Sequence, residues 1–288
     1  MSVLIAFAVP GFLLLLLVEA VLTAHRKVRG YEAKDTFASL AMGAGNVVVA
    51  FLAKAYAYVV YDLAAAFQIT QIELSWWTIP VLIVCEDFCY YWFHRGHHEV
   101  RLFWAAHVNH HSSTRYNLST ALRQSWTTPL TGPLFWAPLA IVGFDPAAIV
   151  FAQSISLIYQ FWLHTELIDR MGPLEFVLNT PSHHRVHHGR NVRYLDRNYG
   201  GILIVWDKLF GSFAPETEPV DYGLTKNIHT YHPATIAFHE WQALWRDARR
   251  MTTWRERLGC LLQPPGWSPD GRTLTARQMQ SDLPGEFV

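Results

Sequence analysis

The chain has 288 residues, 51% of them hydrophobic and only 16% charged, against about 25% charged in an average soluble domain. Lys and Arg balance Asp and Glu at 23 each. That balance leaves no basic surplus to neutralise phosphate, and the composition is too apolar for disorder, so nucleic-acid binding and an unstructured chain are both excluded. Three cysteines make no disulfide framework; Cys85 and Cys89 lie in an apolar run, where helix packing is their simplest role.

Val3 to Leu22 is an apolar stretch whose one charge is Glu19. As a helix rising about 1.5 Å per residue it matches the ~30 Å of hydrocarbon in a bilayer. No basic residue precedes it and a basic cluster follows, the reverse of a signal peptide. Ala38 to Val60, with Lys54 as its only charge, predicts a second span. Trp76 to Phe93 opens on paired tryptophans, carries Glu86 and Asp87, and predicts a third. Thr127 to Gly143 and Pro146 to Leu163 hold no formal charge and meet at Phe144-Asp145. They predict a hairpin whose first arm, interrupted by Pro129, Pro133 and Pro138, need not cross the bilayer fully.

Arg26, Lys27, Arg29 and Lys34 separate the first two spans, whereas residues 68–75 contain no Lys or Arg. The positive-inside rule then puts the 23–37 loop in the cytoplasm and the amino terminus outside. Threading onward places everything just after Phe93, and everything after Leu163, in the cytoplasm as well. Beyond residue 214 the chain is more polar. Trp241, Leu244, Trp245 and Ala248 recur there at helical spacing beside Arg246, Arg249 and Arg250. This suits an amphipathic helix on the cytoplasmic membrane surface or a helix capping the domain. The expected fold class is all-α: an integral membrane helical bundle of three to five membrane-embedded helices, with a cytoplasmic helical cap.

Histidine is the outlier. There are fifteen, and ten fall in two windows. The first holds His94-Arg95-Gly96-His97-His98 and His107-Val108-Asn109-His110-His111; the second is His183-His184-Arg185-Val186-His187-His188. Helix positions i, i+3 and i+4 share a face. His94 with His98, His107 with His110 and His111, and His184 with His187 and His188 are therefore each expected to converge on one point. Imidazole suits zinc, iron, copper and nickel, and one zinc wants four ligands. Eight box histidines exceed the need of one ion, so two metal ions are expected. His164, where the fifth apolar run meets the cytoplasmic side, is a ninth candidate ligand. His97 and His183 are candidates for supporting roles, and His25, His229, His232 and His239 are read as surface residues. Asp87 lies seven residues before His94 on the same face and needs a partner inside a span. Orienting a metal-bound imidazole is one role for it; packing against Tyr90 or Tyr91 is the other.

Oxidising an unactivated C–H bond requires a redox metal and dioxygen as co-substrate. Zinc cannot do the redox step, so iron is the metal expected if the centre is an oxygenase. A metal transporter would instead place ligands near the bilayer midplane, within a repeated architecture. Here the histidines gather beyond the ends of the spans. A hydrolase built on Ser182 and His183 lacks a nucleophile-elbow signature.

The three boxes resemble those of the fatty-acid hydroxylase and sterol desaturase superfamily, integral membrane di-iron enzymes. Three longer strings resemble its alkylglycerol monooxygenase branch: Tyr116-Asn117-Leu118-Ser119-Thr120-Ala121-Leu122-Arg123-Gln124-Ser125, Tyr159-Gln160-Phe161-Trp162-Leu163-His164-Thr165-Glu166, and Leu178-Asn179-Thr180-Pro181-Ser182. Asn198-Tyr199-Gly200-Gly201 and Trp206-Asp207-Lys208-Leu209-Phe210-Gly211 are shared more widely. The likeness covers roughly residues 30 to 270. It implies a di-iron monooxygenase with two iron ions, dependent on tetrahydrobiopterin. Such an enzyme hydroxylates the alkyl carbon next to the oxygen of a glyceryl ether, and the hemiacetal collapses to a fatty aldehyde and a glycerol. A sterol desaturase or fatty-acyl hydroxylase with a protein electron donor is the alternative in the same superfamily.

Carried over residue by residue, the implied metal ligands are His94, His98, His107, His110, His111, His164, His184, His187 and His188. Arg123, Glu166 and Asn198 are candidates for site support from their motif context, each equally able to be a structural hydrogen-bonding residue. Residues 1–262 are read as one membrane-embedded catalytic domain and 263–288 as a C-terminal tail. The animal enzymes continue into further spans where this chain ends. That departure lies outside the boxes and bears on pterin use and substrate choice. With no haem-binding domain in the sequence, electrons are expected from an external donor, a pterin or a redox protein, and the substrate is a lipid taken from the bilayer. The expected location is the endoplasmic reticulum or a bacterial inner membrane, with the histidines on the cytoplasmic side.

Overall fold

The structure, a computed structural model, describes residues 3–26 and 30–283; Lys27 and Arg29 of the expected basic loop lie outside them. All regular structure among the described residues is helical, with no strand and two isolated bridges, Leu178 with Leu203 and Gly189 with Tyr222. Helices α1 (Val3–Arg26) and α2 (Ala33–Ala65) are long and apolar enough to cross a membrane. Only 6% and 22% of their most apolar windows are buried, so neither is the core helix of a water-soluble domain. They turn Leu13, Leu17, Phe51 and Leu52 outward, large apolar side chains along the length of two helices that suit a lipid surrounding.

Helix α3 (Thr78–Glu99) runs unbroken through the expected third span and past Phe93. It therefore delivers His94, His97 and His98 on its last two turns. The expected hairpin is present. A single turn at Thr128–Thr131 leads into α4 (Pro133–Val142), and α5 (Pro146–Phe161) returns. Ten residues rise about 15 Å, half of a bilayer core, so α4 on its own does not traverse one. Asp145 starts α5: its Oδ1 accepts the N–H groups of Ala147 and Ala148 at 2.8 and 3.3 Å, with Pro146 at the first helical position. The preceding turn needs glycine. Gly143 has φ +122°, and a Cβ there would lie 2.2 Å from the Thr70 carbonyl oxygen. Tyr61 of α2, Leu82, Cys89 and Phe93 of α3, Trp136 and Leu139 of α4, and Ile149 of α5 close the bundle core.

Buried polar contacts fix which ends lie together. The Glu19 carboxylate of α1 accepts the Leu118 N–H at 2.7 Å and the Thr165 hydroxyl. Asp35, on the first turn of α2, pairs with Arg123 at 2.5 Å. The end of α1 and the start of α2 thus lie on the same side as the ends of α3 and α5 and both histidine windows. That side is covered by α6 (Pro181–His187), α7 (Pro233–Arg250), α8 (Trp254–Leu262) and α9 (Ala276–Ser281).

On α7 the apolar stripe faces the protein, as a capping helix requires. Leu244 is buried, Trp241 and Ala248 pack with Leu102, Ala105 and Cys260, and of the four residues singled out Trp245 is the exposed one. Residues 263–283 are fastened to the cap. The Gln263 carbonyl accepts the Arg101 N–H at 3.1 Å, and Gln280 Nε2 donates to the carbonyls of Val192 and Leu195 at 3.1 and 2.8 Å.

Gly172 also has positive φ, +60°, but a Cβ there would meet nothing within 4 Å. Gly172→Ala is expected to cost about 1 kcal/mol, the left-handed penalty alone, and Gly143→Ala clearly more. Thermal unfolding of both variants in detergent compares them; equal losses would show that the Thr70 carbonyl yields freely.

Candidate metal centre

The nine imidazoles expected as ligands come together in two clusters. His94, His98, His107, His111 and His187 form one; His110, His164, His184 and His188 form the other; within each, the donor nitrogens lie within 4.8 Å of one another. All nine side chains are buried. Two of the boxes straddle the clusters instead of converging on a point. His107 and His111 join the first while His110 joins the second, and His184 and His188 join the second while His187 joins the first. In the second of these boxes the split falls at the end of α6, where His188 is the C-cap; in the first it falls where a turn passes into a short 3-10 helix at His110–Ser112.

Second contacts orient the rings. His94 Nδ1 donates to the Tyr199 carbonyl at 2.8 Å, His164 Nδ1 to Gln160 at 3.0 Å, His187 Nδ1 to Arg197 at 2.9 Å and His110 Nδ1 to Arg123 at 3.3 Å. His98 Nδ1 faces the Asp196 carboxylate at 3.4 Å. A carbonyl only accepts, so these Nδ1 atoms carry the proton and each Nε2 carries a lone pair. His110 and His164 nevertheless point their Nε2 atoms at each other at 3.3 Å. This contact is not a hydrogen bond, because neither ring has a proton there. Protonation does not relieve it: burial pushes His164 down to about 4 and His110 well below its ordinary value. His98 Nε2 and His187 Nε2 are buried with no hydrogen-bond partner at all. Facing lone pairs in a water-poor pocket call for a cation between them. The donor set, imidazole with no carboxylate, is one that first-row transition metals accept. The residues fit a pair of such ions.

The loop 196–207 supplies two of the orienting carbonyls, and buried carboxylates hold it. Asp207 accepts the N–H groups of Tyr199 and Gly200 and the Ser212 hydroxyl, each at 2.7 Å. Asp87 accepts the N–H groups of Ile202 and Leu203 at 2.6 and 3.0 Å and the Trp206 indole at 2.9 Å. These bonds go to the loop that carries the Tyr199 carbonyl and not to an imidazole. Gly201 must be glycine for this approach, because a Cβ would lie 2.8 Å from Asp87 Oδ1. Asn198, at φ +56°, ties the loop to α6: Nδ2 donates to the His183 carbonyl at 3.0 Å and to Ala214 at 2.8 Å.

Arg123 is buried and donates to Asp35, to the hydroxyls of Ser39 and Ser112, and so fixes the carbonyl that receives His110. Glu166 stands apart at the surface, accepting the Tyr222 hydroxyl at 3.2 Å. His97 is outside both clusters with both nitrogens bonded, to the Phe93 carbonyl and the Thr131 hydroxyl. His183 packs edge-on against Phe213, and burial lowers it to about 4.

Asp196 and Asp35 escaped notice in the sequence, and Asp207 stood there only within the string Trp206–Gly211. Asp35 and Asp207 carried a usable signal, an acid opening a long apolar helix and an acid inside a widely shared string. Nothing local marks Asp196. On the side away from the bundle, a cavity of 1240 Å³ reaches His98, His111, His187 and His188 between walls that include Arg101, Trp104, Arg246 and Trp267. The Trp104 ring lies 5.1 Å from His98.

Residues 79–212 match the family described as fatty acid hydroxylase. Human alkylglycerol monooxygenase is 44% identical over 219 residues, 75% of this chain and 49% of that protein. The alkylglycerol monooxygenase of Danio rerio is 47% identical over 201 residues, 69% of this chain and 45% of that protein. The ornithine lipid hydroxylase of Rhizobium tropici is 29% identical over 149 residues, 51% and 45% of the two chains. The chain therefore spans about half the length of the curated relatives it matches. No solved structure matches.

Two tests address the site itself. In the metal-free protein the buried histidines stay neutral below pH 6.5, while in the unfolded chain they take up protons near that value. The unfolded state then binds more protons, so stability is level above about pH 7 and falls as the pH drops below ~6.5. Denaturation midpoints at pH 7.5 and 5.0 check this, and equal midpoints would count against buried neutral rings. Asp207→Asn removes an acceptor for the N–H groups of Tyr199 or Gly200. It is expected to weaken metal binding about tenfold, read by competition with a chromophoric chelator. Unchanged affinity would mean that the Tyr199 carbonyl is held by other contacts.

Proposed function

We propose that this chain, a homologue of alkylglycerol monooxygenases that carries a fatty acid hydroxylase segment, is a membrane di-iron monooxygenase. In this reading it oxidises a lipid C–H bond with dioxygen. The observation that carries the reading is the pair of buried, carboxylate-free histidine clusters whose Nε2 lone pairs face one another. His94, His98, His107, His111 and His187 would hold one iron and His110, His164, His184 and His188 the other. When bound, the two irons supply the redox chemistry that dioxygen activation needs and that zinc lacks.

The favoured substrate is an alkylglycerol. Hydroxylation inserts one oxygen atom into the C–H bond beside the ether oxygen, and the other leaves as water after two electrons and two protons are added. In the resulting hemiacetal the hydroxyl proton moves to the ether oxygen, the C–O bond breaks, and a fatty aldehyde and a glycerol separate.

The chain's own residues do the positioning. Carbonyls of Tyr199, Gln160, Arg197 and Arg123 hold the ring tautomers that present Nε2. The ends of α3 and α5 set the clusters beside outward-facing apolar helices, where a lipid chain enters without crossing water. The cavity on the opposite side reaches the same histidines and is open to a small diffusible reductant such as tetrahydrobiopterin. The basic residues Arg26 and Lys34 flank the α1–α2 connection, on the side of the clusters, and the positive-inside rule makes that side cytoplasmic.

The test is product analysis by mass spectrometry. Membranes holding the iron-loaded protein receive a 1-O-alkylglycerol and dioxygen, with and without tetrahydrobiopterin. Fatty aldehyde formed only with pterin is the expected result. A preparation with about two irons per chain and no aldehyde would move the substrate to a sterol or acyl chain served by a protein donor. His110→Ala and His187→Ala are expected to lose metal and oxidation, and His229→Ala neither. Full metal and full activity in His187→Ala would overturn the site.

A further inference from the structure

Two aromatic rings lead from the second cluster to the surface. Tyr116 is buried, with its ring centroid 5.2 Å from His188 and 5.7 Å from His164. Tyr222 stacks on it at 4.8 Å, with 4° between the planes. The Tyr116 hydroxyl donates to the Leu163 carbonyl at 3.0 Å, so it is turned away from the cluster. The Tyr222 hydroxyl donates to the Glu166 carboxylate at 3.2 Å, on the wall of a 300 Å³ surface cleft. Parallel rings at this separation are offset, the ordinary geometry of aromatic packing. What packing does not require is a pair of phenols, one ring against the imidazoles and the other hydroxyl hydrogen-bonded to a surface carboxylate.

We propose that Tyr116 and Tyr222 form a one-electron path between the second histidine cluster and the surface, which discharges the oxidised centre when no lipid is bound. The inference rests on the redox-metal reading of the clusters. Tyr222 gives one electron, through the Tyr116 ring, to the oxidised metal. Its O–H bond breaks, and the proton leaves along the hydrogen bond to Glu166 and on to water. A soluble thiol then gives a hydrogen atom to the phenoxyl oxygen, restoring Tyr222, and two of the resulting thiyl radicals join as a disulfide. The radical rests on Tyr222, because the hydroxyl of Tyr116 faces a peptide carbonyl, which does not take a proton.

The full chain in detergent is loaded with ferrous iron, its metal content measured, and then exposed to dioxygen without lipid or thiol and freeze-quenched for electron paramagnetic resonance. A tyrosyl radical is expected in the wild type. Tyr222→Phe and Tyr116→Leu are expected to abolish it with metal content unchanged, and Glu166→Gln to lower its yield several-fold. A tyrosyl signal that survives Tyr222→Phe overturns the path. So does the absence of a signal from wild-type protein whose iron Mössbauer spectra show to be oxidised; in both cases the metal centre still stands. Failure of the chain to take up iron overturns both readings.

Discussion

The organising constraint is the burial of nine imidazoles, kept neutral by that burial and gathered into two clusters. A neutral histidine has one proton, and here backbone carbonyls take it at Nδ1 in four of the rings. Every such bond removes that ring's freedom to donate at Nε2, so these four rings turn acceptors toward the interior, and His110 and His164 turn theirs toward each other. A buried acceptor without a donor costs on the order of 1–3 kcal/mol, and the clusters hold several. A cation converts this cost into coordination. If the clusters hold metal, its binding and the folding of this region would be one problem.

The arrangement around the clusters is mostly made of carboxylates that never touch a ring. Asp87 and Asp207 both bond the backbone N–H groups of one loop, whose Tyr199 carbonyl meets His94. Arg123, satisfied by Asp35 and two hydroxyls, fixes the backbone that meets His110. Glu19 reaches from the first helix to Thr165, next to His164. Each of these charges is buried at the junction between an apolar helix and the polar cap, where an unpaired one would be expensive. They work as fasteners whose removal would let an orienting carbonyl move. An imidazole pointing at a metal does not tolerate that displacement.

The helical periodicity of the sequence carried the bundle, the hairpin and the membership of the histidine set, because apolar runs and i, i+4 spacing are local properties. The division of that set was not legible. His107, His110 and His111 read as one face, and only the three-dimensional course of the chain shows that a single residue's rotation sends His110 to the other cluster. The partner of Asp87 was hidden for a related reason. Its acceptor oxygens are used more than a hundred residues away, by backbone N–H groups that no side-chain pattern announces. The α7 stripe was ambiguous because a face that packs on protein and one that packs on lipid have the same composition. Only the contacts of Leu244 and Trp241 separate them.

The split of the boxes also bears on why the motif has its form. Were each box to serve one ion, each cluster would be a closed unit on one helical turn, and the two could drift apart as the helices flexed. Because His110 and His111 are neighbours in the chain yet belong to different clusters, as do His187 and His188, two short backbone segments bridge both sites. The spacing between the clusters is thereby set by covalent geometry, the stiffest element available. In the di-iron reading proposed above, two ions acting on one dioxygen molecule would need a fixed separation, and H-x-x-H-H would supply it where H-x-x-x-H alone would not.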